Sequence, residues 1–236
     1  MKKIIFFVTL FIFSMTAFAQ ESENIKFLGN KFTKPQNFSE FINLLDFEIE
    51  AGPGMYINTE SKTVSAPSPI IYPVTMGFLW PNNTFLAVQP SMSFFMMNHL
   101  WYNNKALPAE IENRTSTTLS FMFTLPAVIS IYMGKTRLQL MPGISILTRF
   151  AFLANNINAD DSGFSGSAAS DIANINGWFW NNARFFYLSS GVSFLYNIYN
   201  DIKIGPVINL HIPLVPLVTG EGLQGTIISI GMKISL

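Results

Sequence analysis

The chain has 236 residues, of which 49% are hydrophobic and only 12% are charged, and its mean hydropathy is +0.32. Globular chains carry about 25% charged residues, so this chain has too few to cover an ordinary water-exposed surface. Basic and acidic residues are equal in number, 14 of each, and no basic run occurs, which argues against nucleic-acid binding. The absence of cysteine excludes disulfides, thiolate metal sites and lipoprotein acylation.

The first 19 residues are predicted to form a signal peptide. Lys2 and Lys3 supply a positive end, residues 4–13 are apolar except for Thr9, and Ala17-Phe18-Ala19 fits the small-x-small cleavage pattern. We expect cleavage after Ala19 rather than an uncleaved anchor helix, because the apolar run is short for the roughly 20 residues that span a bilayer. Loss of the two lysines leaves 12 basic against 14 acidic residues, a net charge of −2.

Beyond residue 20 no run of about 18 apolar residues occurs, so a helical span is not predicted. In lipid only helices and closed barrels satisfy every backbone group, which leaves a barrel or a soluble secreted all-β protein. Residues 20–45 are mixed in character and are predicted to be an N-terminal periplasmic segment. Residues 39–45 within it fit either a short amphipathic helix or a flexible lead-in.

From residue 46 onward the sequence alternates with period 2, which is typical of strands with two different faces. In Ile202–Leu214 and Thr226–Leu236, for example, the even positions are almost all apolar. The pattern predicts an all-β fold, an eight-stranded antiparallel up-and-down transmembrane β-barrel over 46–236. Its strands are expected at 46–58, 69–80, 84–102, 114–133, 137–154, 178–196, 202–214 and 223–236.

The connections between these strands alternate in length. Those at 81–83, 134–136 and 197–201 are tight, whereas those at 59–68, 103–113, 155–177 and 215–222 are longer. Short turns at one end and long loops at the other are typical of outer-membrane barrels, with both termini of an eight-stranded barrel in the periplasm. The loop 155–177 is rich in Asn, Asp, Ser and Gly, and is either a functional loop facing outside or disordered.

Each odd-numbered strand carries a proline on its apolar face, which suggests a weakly repeated hairpin unit. These residues are Pro53, Pro90, Pro142 and Pro206. Because proline cannot donate a ladder hydrogen bond and a closed barrel has no edge strand, we expect bulges or kinks at these four positions.

All four tryptophans, Trp80, Trp101, Trp178 and Trp180, fall at predicted strand ends. Amphipathic rings settle at the level of the lipid headgroups, so we expect them to be interface aromatics.

With these features the chain resembles the small eight-stranded outer-membrane barrels, such as the OmpW-like proteins and the OmpA transmembrane domain. The resemblance is architectural. It covers residues 46–236 and depends on the signal at Ala17-Phe18-Ala19, the alternation and the last strand. It implies a bacterial outer-membrane location, with membrane lipid and the barrel-assembly machinery as partners. Such barrels usually end in an aromatic residue that the machinery reads, whereas this chain ends in Leu236.

The inward face of an eight-stranded barrel is filled by side chains. By parity, a lumen charge cluster is predicted near the turn end, comprising Glu48, Glu50, Arg137, Lys203 and Lys233, with Arg149 and His211 in the upper lumen. We expect Lys233 of the last strand to pair with Glu48 or Glu50 of the first, because an unpaired charge in a confined interior is costly.

Catalysis and cofactor binding are not predicted. His99 near a loop end, with Asp160, Asp161 and Ser162, has no spacing that supports an enzyme. Asp160-Asp161-Ser162-Gly163 lacks the alternating ligands of a calcium loop.

Three functions therefore remain open. The first is a narrow channel or binding site for small, mainly apolar solutes, and the second is a sealed structural or surface-interaction barrel that acts through loop 155–177. The third is a lipid-modifying enzyme that uses His99.

Overall fold

The structure is a computed structural model that describes residues 38–57, 70–82, 84–102, 105–108, 116–163, 166–199, 202–220 and 223–236, with only the backbone at 99–102 and 105–108. The predicted signal peptide, its cleavage site and most of the loops 59–68 and 103–113 lie outside these residues. The described chain starts with helix α1 (Phe38–Asn43), which agrees with the helical interpretation of the lead-in.

Eight barrel strands, S1 to S8, follow. S1 comprises β1 (Asp46–Ala51) and β2 (Gly54–Tyr56), S2 comprises β3 (Ile70–Ile71) and β4 (Val74–Leu79), and S3 comprises β5 (Leu86–Val88) and β6 (Ser91–Tyr102). A short β7 (Lys105–Pro108) pairs with the end of β6. S4 is β8 (Ser116–Met133), and S5 comprises β9 (Thr136–Leu140) and β10 (Gly143–Leu153).

The second half of the chain begins with a two-stranded hairpin of β11 (Ser162–Gly163) and β12 (Gly166–Ser167), followed by helix α2 (Ala168–Asn181). S6 is β13 (Phe186–Tyr199) and S7 is β14 (Ile202–Pro213). Helix α3 (Leu214–Thr219) then precedes S8, which is β15 (Ile227–Ser235). Among the described residues, no helix combines the length and the apolar character that crossing a membrane requires.

Each barrel strand is antiparallel to its chain neighbours, and the ring closes where S8 pairs with S1. At this seam Glu50 lies opposite Lys233, and a Cβ on Gly52 would overlap the backbone of Gly231, so the close approach of the two strands requires glycine. The predicted eight-stranded antiparallel barrel is therefore confirmed by its own hydrogen-bonded ring.

Alternation along the strands sorts the side chains as the sequence predicted. Ile208 and Ile230 lie opposite each other between S7 and S8 and are 50% and 57% exposed, whereas the adjacent Asn209 and Ser229 turn inward. Every barrel strand contributes exposed large hydrophobic residues, which together form an apolar belt around the outside. One example from each strand, in order, is Met55, Met76, Met92, Phe123, Ile144, Phe194, Ile208 and Ile230.

The expected kinks occur at three of the four prolines. S1, S3 and S5 are interrupted at Pro53, Pro90 and Pro142, whereas Pro206 sits in β14 without a break. S2 is also interrupted, next to Pro73, which the sequence pattern did not single out. All four predicted prolines are exposed on the outer face.

The prolines still take part in the ladder through their carbonyl groups. The carbonyl of Pro53 accepts from the backbone N–H of Ile230 at 3.0 Å, and that of Pro90 accepts from Phe78 at 3.1 Å. In S4 and S5, the Pro126 carbonyl accepts from Gln89 at 3.2 Å and the Pro142 carbonyl from Ala127 at 2.8 Å. The kinks at Pro53, Pro90 and Pro142 are therefore each bonded to a neighbouring barrel strand.

The sequence prediction was wrong at the start of the sixth strand. That strand was expected at 178–196, but S6 begins at Phe186, and residues 168–181 form helix α2. Aromatic residues favour strands, which made 178–180 look like a strand end, whereas the capping signal upstream selects a helix. The Ser167 side chain accepts from the backbone N–H of Ser170, and the Ser170 hydroxyl accepts from the backbone N–H of Ser167.

Candidate functional site: the lumen and its helical cover

The turn end of the lumen holds a layer of six charged side chains, which we call the ion-pair layer. Asp46, Glu48 and Glu50 come from S1 because they share one face of the strand. Arg137, Lys203 and Lys233 reach them from S5, S7 and S8. Three carboxylates thus face three cations, and the layer is neutral overall.

Glu48 is the centre of the ion-pair layer. Its Oε2 lies 2.8 Å from Lys233 Nζ and its Oε1 lies 3.1 Å from Arg137 Nη2. Lys233 also lies 3.2 Å from Glu50 Oε1, while Arg137 Nη1 and Lys203 Nζ approach Asp46 Oδ2 at 3.2 and 3.3 Å. The Lys233 and Arg137 side chains are only 0% and 2% exposed, so these pairs are shielded from water.

Neutral polar side chains complete the ion-pair layer. Lys233 donates to Gln89 Oε1 at 3.2 Å, Asn209 donates to Glu50 Oε2 at 2.9 Å, and Ser235 donates to Asp46 Oδ2 at 3.1 Å. Such bonds supply the further partners that buried ion pairs require if they are not to destabilise the fold.

The structure places all five residues of the predicted lumen charge cluster in this layer. It adds Asp46, which sequence reasoning missed although its parity matches that of Glu48 and Glu50. The position at the strand boundary concealed it. Asp46 is the first residue of the predicted strand 46–58, so the parity of that strand would have found it.

Above the ion-pair layer lies a polar cavity of about 30 Å³. Its walls carry hydroxyl pairs, Thr75 with Ser93 at 2.7 Å and Thr124 with Ser145 at 2.9 Å, and His211 Nδ1 lies 3.2 Å from Ser145 Oγ. A water needs roughly 10–15 Å³ by this measure, so the cavity has room for about two water molecules.

Further toward the loop end the lumen becomes apolar. The buried side chains there form one cluster with Phe179 of α2 and comprise Tyr56, Ile71, Phe95, Met97, Met122, Leu147, Tyr187 and Ile227. Arg149 lies in this upper region, 2% exposed, with its guanidinium carbon 4.3 Å from the Phe179 ring centre and 5.7 Å from that of Trp178. Arg149 and His211, predicted together in the upper lumen, therefore occupy different levels.

Helix α2 covers the loop end and also completes the barrel wall. S5 pairs with S6 only as far as Ile146, and beyond it no described strand lies on that side of β10. Asn176 of α2 takes the place of the missing strand, because its Oδ1 accepts from Ala151 N at 3.0 Å and its Nδ2 donates to Ala151 O at 3.3 Å. One carboxamide thus satisfies both backbone groups of Ala151.

The tryptophans divide into two groups. Trp80 lies at the turn end of S2, 5.8 Å from the ring of Phe41 in α1, and exposed Tyr132, Tyr196 and Tyr199 lie near the same end. Trp178 and Trp180 are on helix α2, not at a strand end as predicted. The guanidinium carbon of Arg184 lies 4.4 Å from the centre of the Trp178 ring, and the ring centres of Trp180 and Phe150 are 5.8 Å apart. The side chain of Trp101 lies outside the described residues.

Of the residues considered for catalysis, only Asp160, Asp161 and Ser162 have described side chains, and all three lie in the segment after S5. Asp161 Oδ2 accepts from the backbone N–H of Asn158 at 2.8 Å, which is a turn contact, and the His99 side chain lies outside the described residues. Within the described chain, no group of three or more His, Cys, Asp or Glu side chains is placed to hold a metal ion.

No family model matches the chain, and no curated protein matches it. Solved structures similar to it include Neisserial surface protein A, with 7% identity and a TM-score of 0.49 over 81% of this chain and 96% of that chain. OprG of Pseudomonas aeruginosa has 11% identity and a TM-score of 0.43 over 81% and 95% of the two chains. Ail of Yersinia pestis has 9% identity and a TM-score of 0.41 over the same shares. The similarity to these structures is one of fold alone. The roles of individual residues are therefore inferred from contacts within this chain.

Proposed function

We propose that the mature chain spans a bacterial outer membrane as a β-barrel. The apolar belt supports this, because soluble monomers rarely expose contiguous apolar patches above a few hundred Å². The interior is polar and charged over its lower part, which is the reverse of the apolar interior of a water-soluble barrel. A lipid bilayer is the environment that covers such a belt on all eight strands, and the predicted signal peptide accounts for export.

We infer that the barrel does not conduct and that it serves as a scaffold for its loop-end face. The main observation behind this inference is that side chains fill the lumen at two levels. The ion-pair layer fills it at the turn end, and the apolar cluster that includes Phe179 of α2 fills it at the loop end. The cavity between them holds about two water molecules, which is too little for an organic solute. A narrow channel for small apolar solutes is therefore the weaker proposal.

The surface that such a scaffold presents is the region 155–181. Helix α2 is capped at both ends, by the capping box of Ser167 and Ser170 at its start and by Asn182, which donates to Trp178 O at 2.8 Å, at its end. Outward-pointing residues such as Ala173 and Asp160 are exposed. We propose an extracellular ligand or partner for this face, with membrane lipid and the assembly machinery as further partners.

We propose no enzymatic activity and no cofactor. The Ser145–His211 contact lies inside the filled lumen, so a substrate has no route to it past Phe179 or Lys233.

Refolded protein in planar lipid bilayers should show no discrete conductance steps, because both levels of the lumen are closed by buried side chains. Single-channel recording at both polarities measures this. Phe179→Ala, which thins only the upper level, should also remain silent, since the ion-pair layer is untouched. Regular steps from the unmodified protein would show that the lumen opens and would favour the channel.

Surface labelling tests which end faces outside. The chain has no cysteine, so a single introduced cysteine is the only thiol. On intact cells, a membrane-impermeant maleimide should label Ala173→Cys on α2 but not Lys135→Cys in the Gly134–Lys135 turn, which should react only after permeabilisation. The reverse pattern would contradict the proposed topology.

A further inference from the structure

Helix α3 exposes apolar side chains at the loop end of the barrel. The helix follows S7 directly and ends at Gly220, whose positive φ of 78° and bond to Pro216 O close it. Pro216 is buried, but Leu217 and Val218 are 52% and 61% exposed, and Leu223 just beyond is 51% exposed. We call Leu217, Val218 and Leu223 the α3 patch.

The opposite side of the loop end has a different character. Apart from Ala159, the exposed residues at 155–162 are polar or charged, and they comprise Asn155, Asn156, Asn158, Asp160, Asp161 and Ser162. The six residues of α3 contain no charged side chain, and the hydroxyl of the exposed Thr219 donates to Val215 O at 2.9 Å. Among the described residues, the loop end is therefore polar beside S5 and mainly apolar beside S7.

The α3 patch continues the apolar belt. Helix α3 packs on S6 and S7. The outward residues of these two strands include Phe186 and Leu188, which are 44% and 41% exposed, and Ile208 at 50%. The outer surface thus stays apolar from the middle of S7 to the helix above it.

We propose that the α3 patch inserts into the lipid of the outer leaflet, so that the membrane reaches higher beside S6–S8 than beside S5. This rests on the proposed membrane-spanning barrel. Short apolar helices beside a membrane bury such side chains at the boundary between headgroups and acyl chains. A second copy of the chain is a poorer occupant, because three side chains fall far short of the ~800 Å² per partner of a stable interface.

Nitroxide scanning tests the proposal on the refolded full barrel in phosphatidylcholine vesicles. A spin label is placed at Leu217→Cys, Val218→Cys or Leu223→Cys, and its collisions with oxygen, which concentrates in lipid, are compared with those of a water-soluble nickel chelate. Ile208→Cys on the belt and Ala173→Cys on α2 are the lipid and water references. At the three patch positions collisions with oxygen should dominate, as they do at Ile208→Cys. The labels there should lie at a shallower depth in the bilayer than the label at Ile208→Cys.

The labels at the two reference positions show whether a negative result concerns the α3 patch or the membrane-spanning barrel. Lipid-like behaviour at Ile208→Cys with nickel-dominated collisions at all three patch positions overturns the α3 proposal and leaves the barrel in the membrane. Nickel-dominated collisions at Ile208→Cys as well overturn the membrane assignment itself. Protection of the patch from both reagents, or broadening of the spectrum by label–label contact, would show a cover of protein, from this chain or a second copy, and would equally overturn the α3 proposal.

Discussion

Replacing Lys233 by methionine should lower the free energy of unfolding of the refolded barrel by about 3–5 kcal/mol, because it removes the cation paired with buried Glu50 and one of the two paired with Glu48. Lys233 is fully buried and lies within 3.2 Å of both Glu48 and Glu50, on the strand that closes the ring. Urea unfolding from lipid vesicles measures the change. Lys135→Met is the matched control, since Lys135 is exposed in a turn and its loss should cost almost nothing.

A double-mutant cycle assigns the loss to particular pairs. Glu48→Gln and Glu50→Gln are each combined with Lys233→Met, and each double variant should be less destabilised than the sum of its single changes. The Glu48 cycle should show the larger coupling, because its contact with Lys233 is shorter, 2.8 against 3.2 Å. Additive losses in both cycles would mean that S1 and S8 do not meet in this register.

An arginine in the middle of the apolar belt should be nearly as damaging. Ile230→Arg places a charge on the outer face of S8, where the barrel is predicted to meet the hydrocarbon core, and should cost about 2–4 kcal/mol of folding free energy in bilayers. Leu236→Arg is the control, on the same face but at the turn end, where the cost falls to about 0–1 kcal/mol. The same urea titration measures both.

Equal costs for the two arginine variants would contradict the placement of the bilayer along S8. Ser229→Arg is a poorer control than its parity suggested. Ser229 lies beside Glu50 and Asn209, where a small space of about 10 Å³ has no room for the longer side chain. A loss there would report overpacking of the lumen rather than contact with lipid.

The barrel could be predicted from the sequence because one simple physical rule decides which residues of a strand face outward and which face inward. Lipid outside and a confined interior impose opposite preferences on alternate residues, so parity assigned Ile208 outward and Lys233 inward without any knowledge of their neighbours. Closure then placed S8 against S1, and charge pairing followed from the cost of leaving Lys233 alone. Which carboxylate pairs with which cation could not be derived, because Arg137 is shared between Glu48 and Asp46.

The alternation rule could not predict helix α2, because contacts between residues far apart in the sequence determine where the helix lies. Asn176 is one of many asparagines in the region, and only the unpaired edge of β10 at Ala151 gives it a role. Phe179 fits the lumen from above and stacks on Arg149, which lies 30 residues earlier in the chain. The Ser167–Ser170 cap was the local signal for the helix, but the aromatic residues at 178–180 suggested a strand.

The prolines bear on how the barrel reaches its alignment. A slip of one residue turns every side chain to the wrong face, but a slip of two preserves the alternation, so hydrophobicity alone does not oppose it. In the native alignment the kinks of S3 and S5 both lie beside Pro126 of the uninterrupted S4, with Gln89 bonded to Pro126 and Ala127 bonded to Pro142. A two-residue slip of S3 or S5 along S4 would break these bonds. The prolines at these two kinks therefore favour the native register over a two-residue slip.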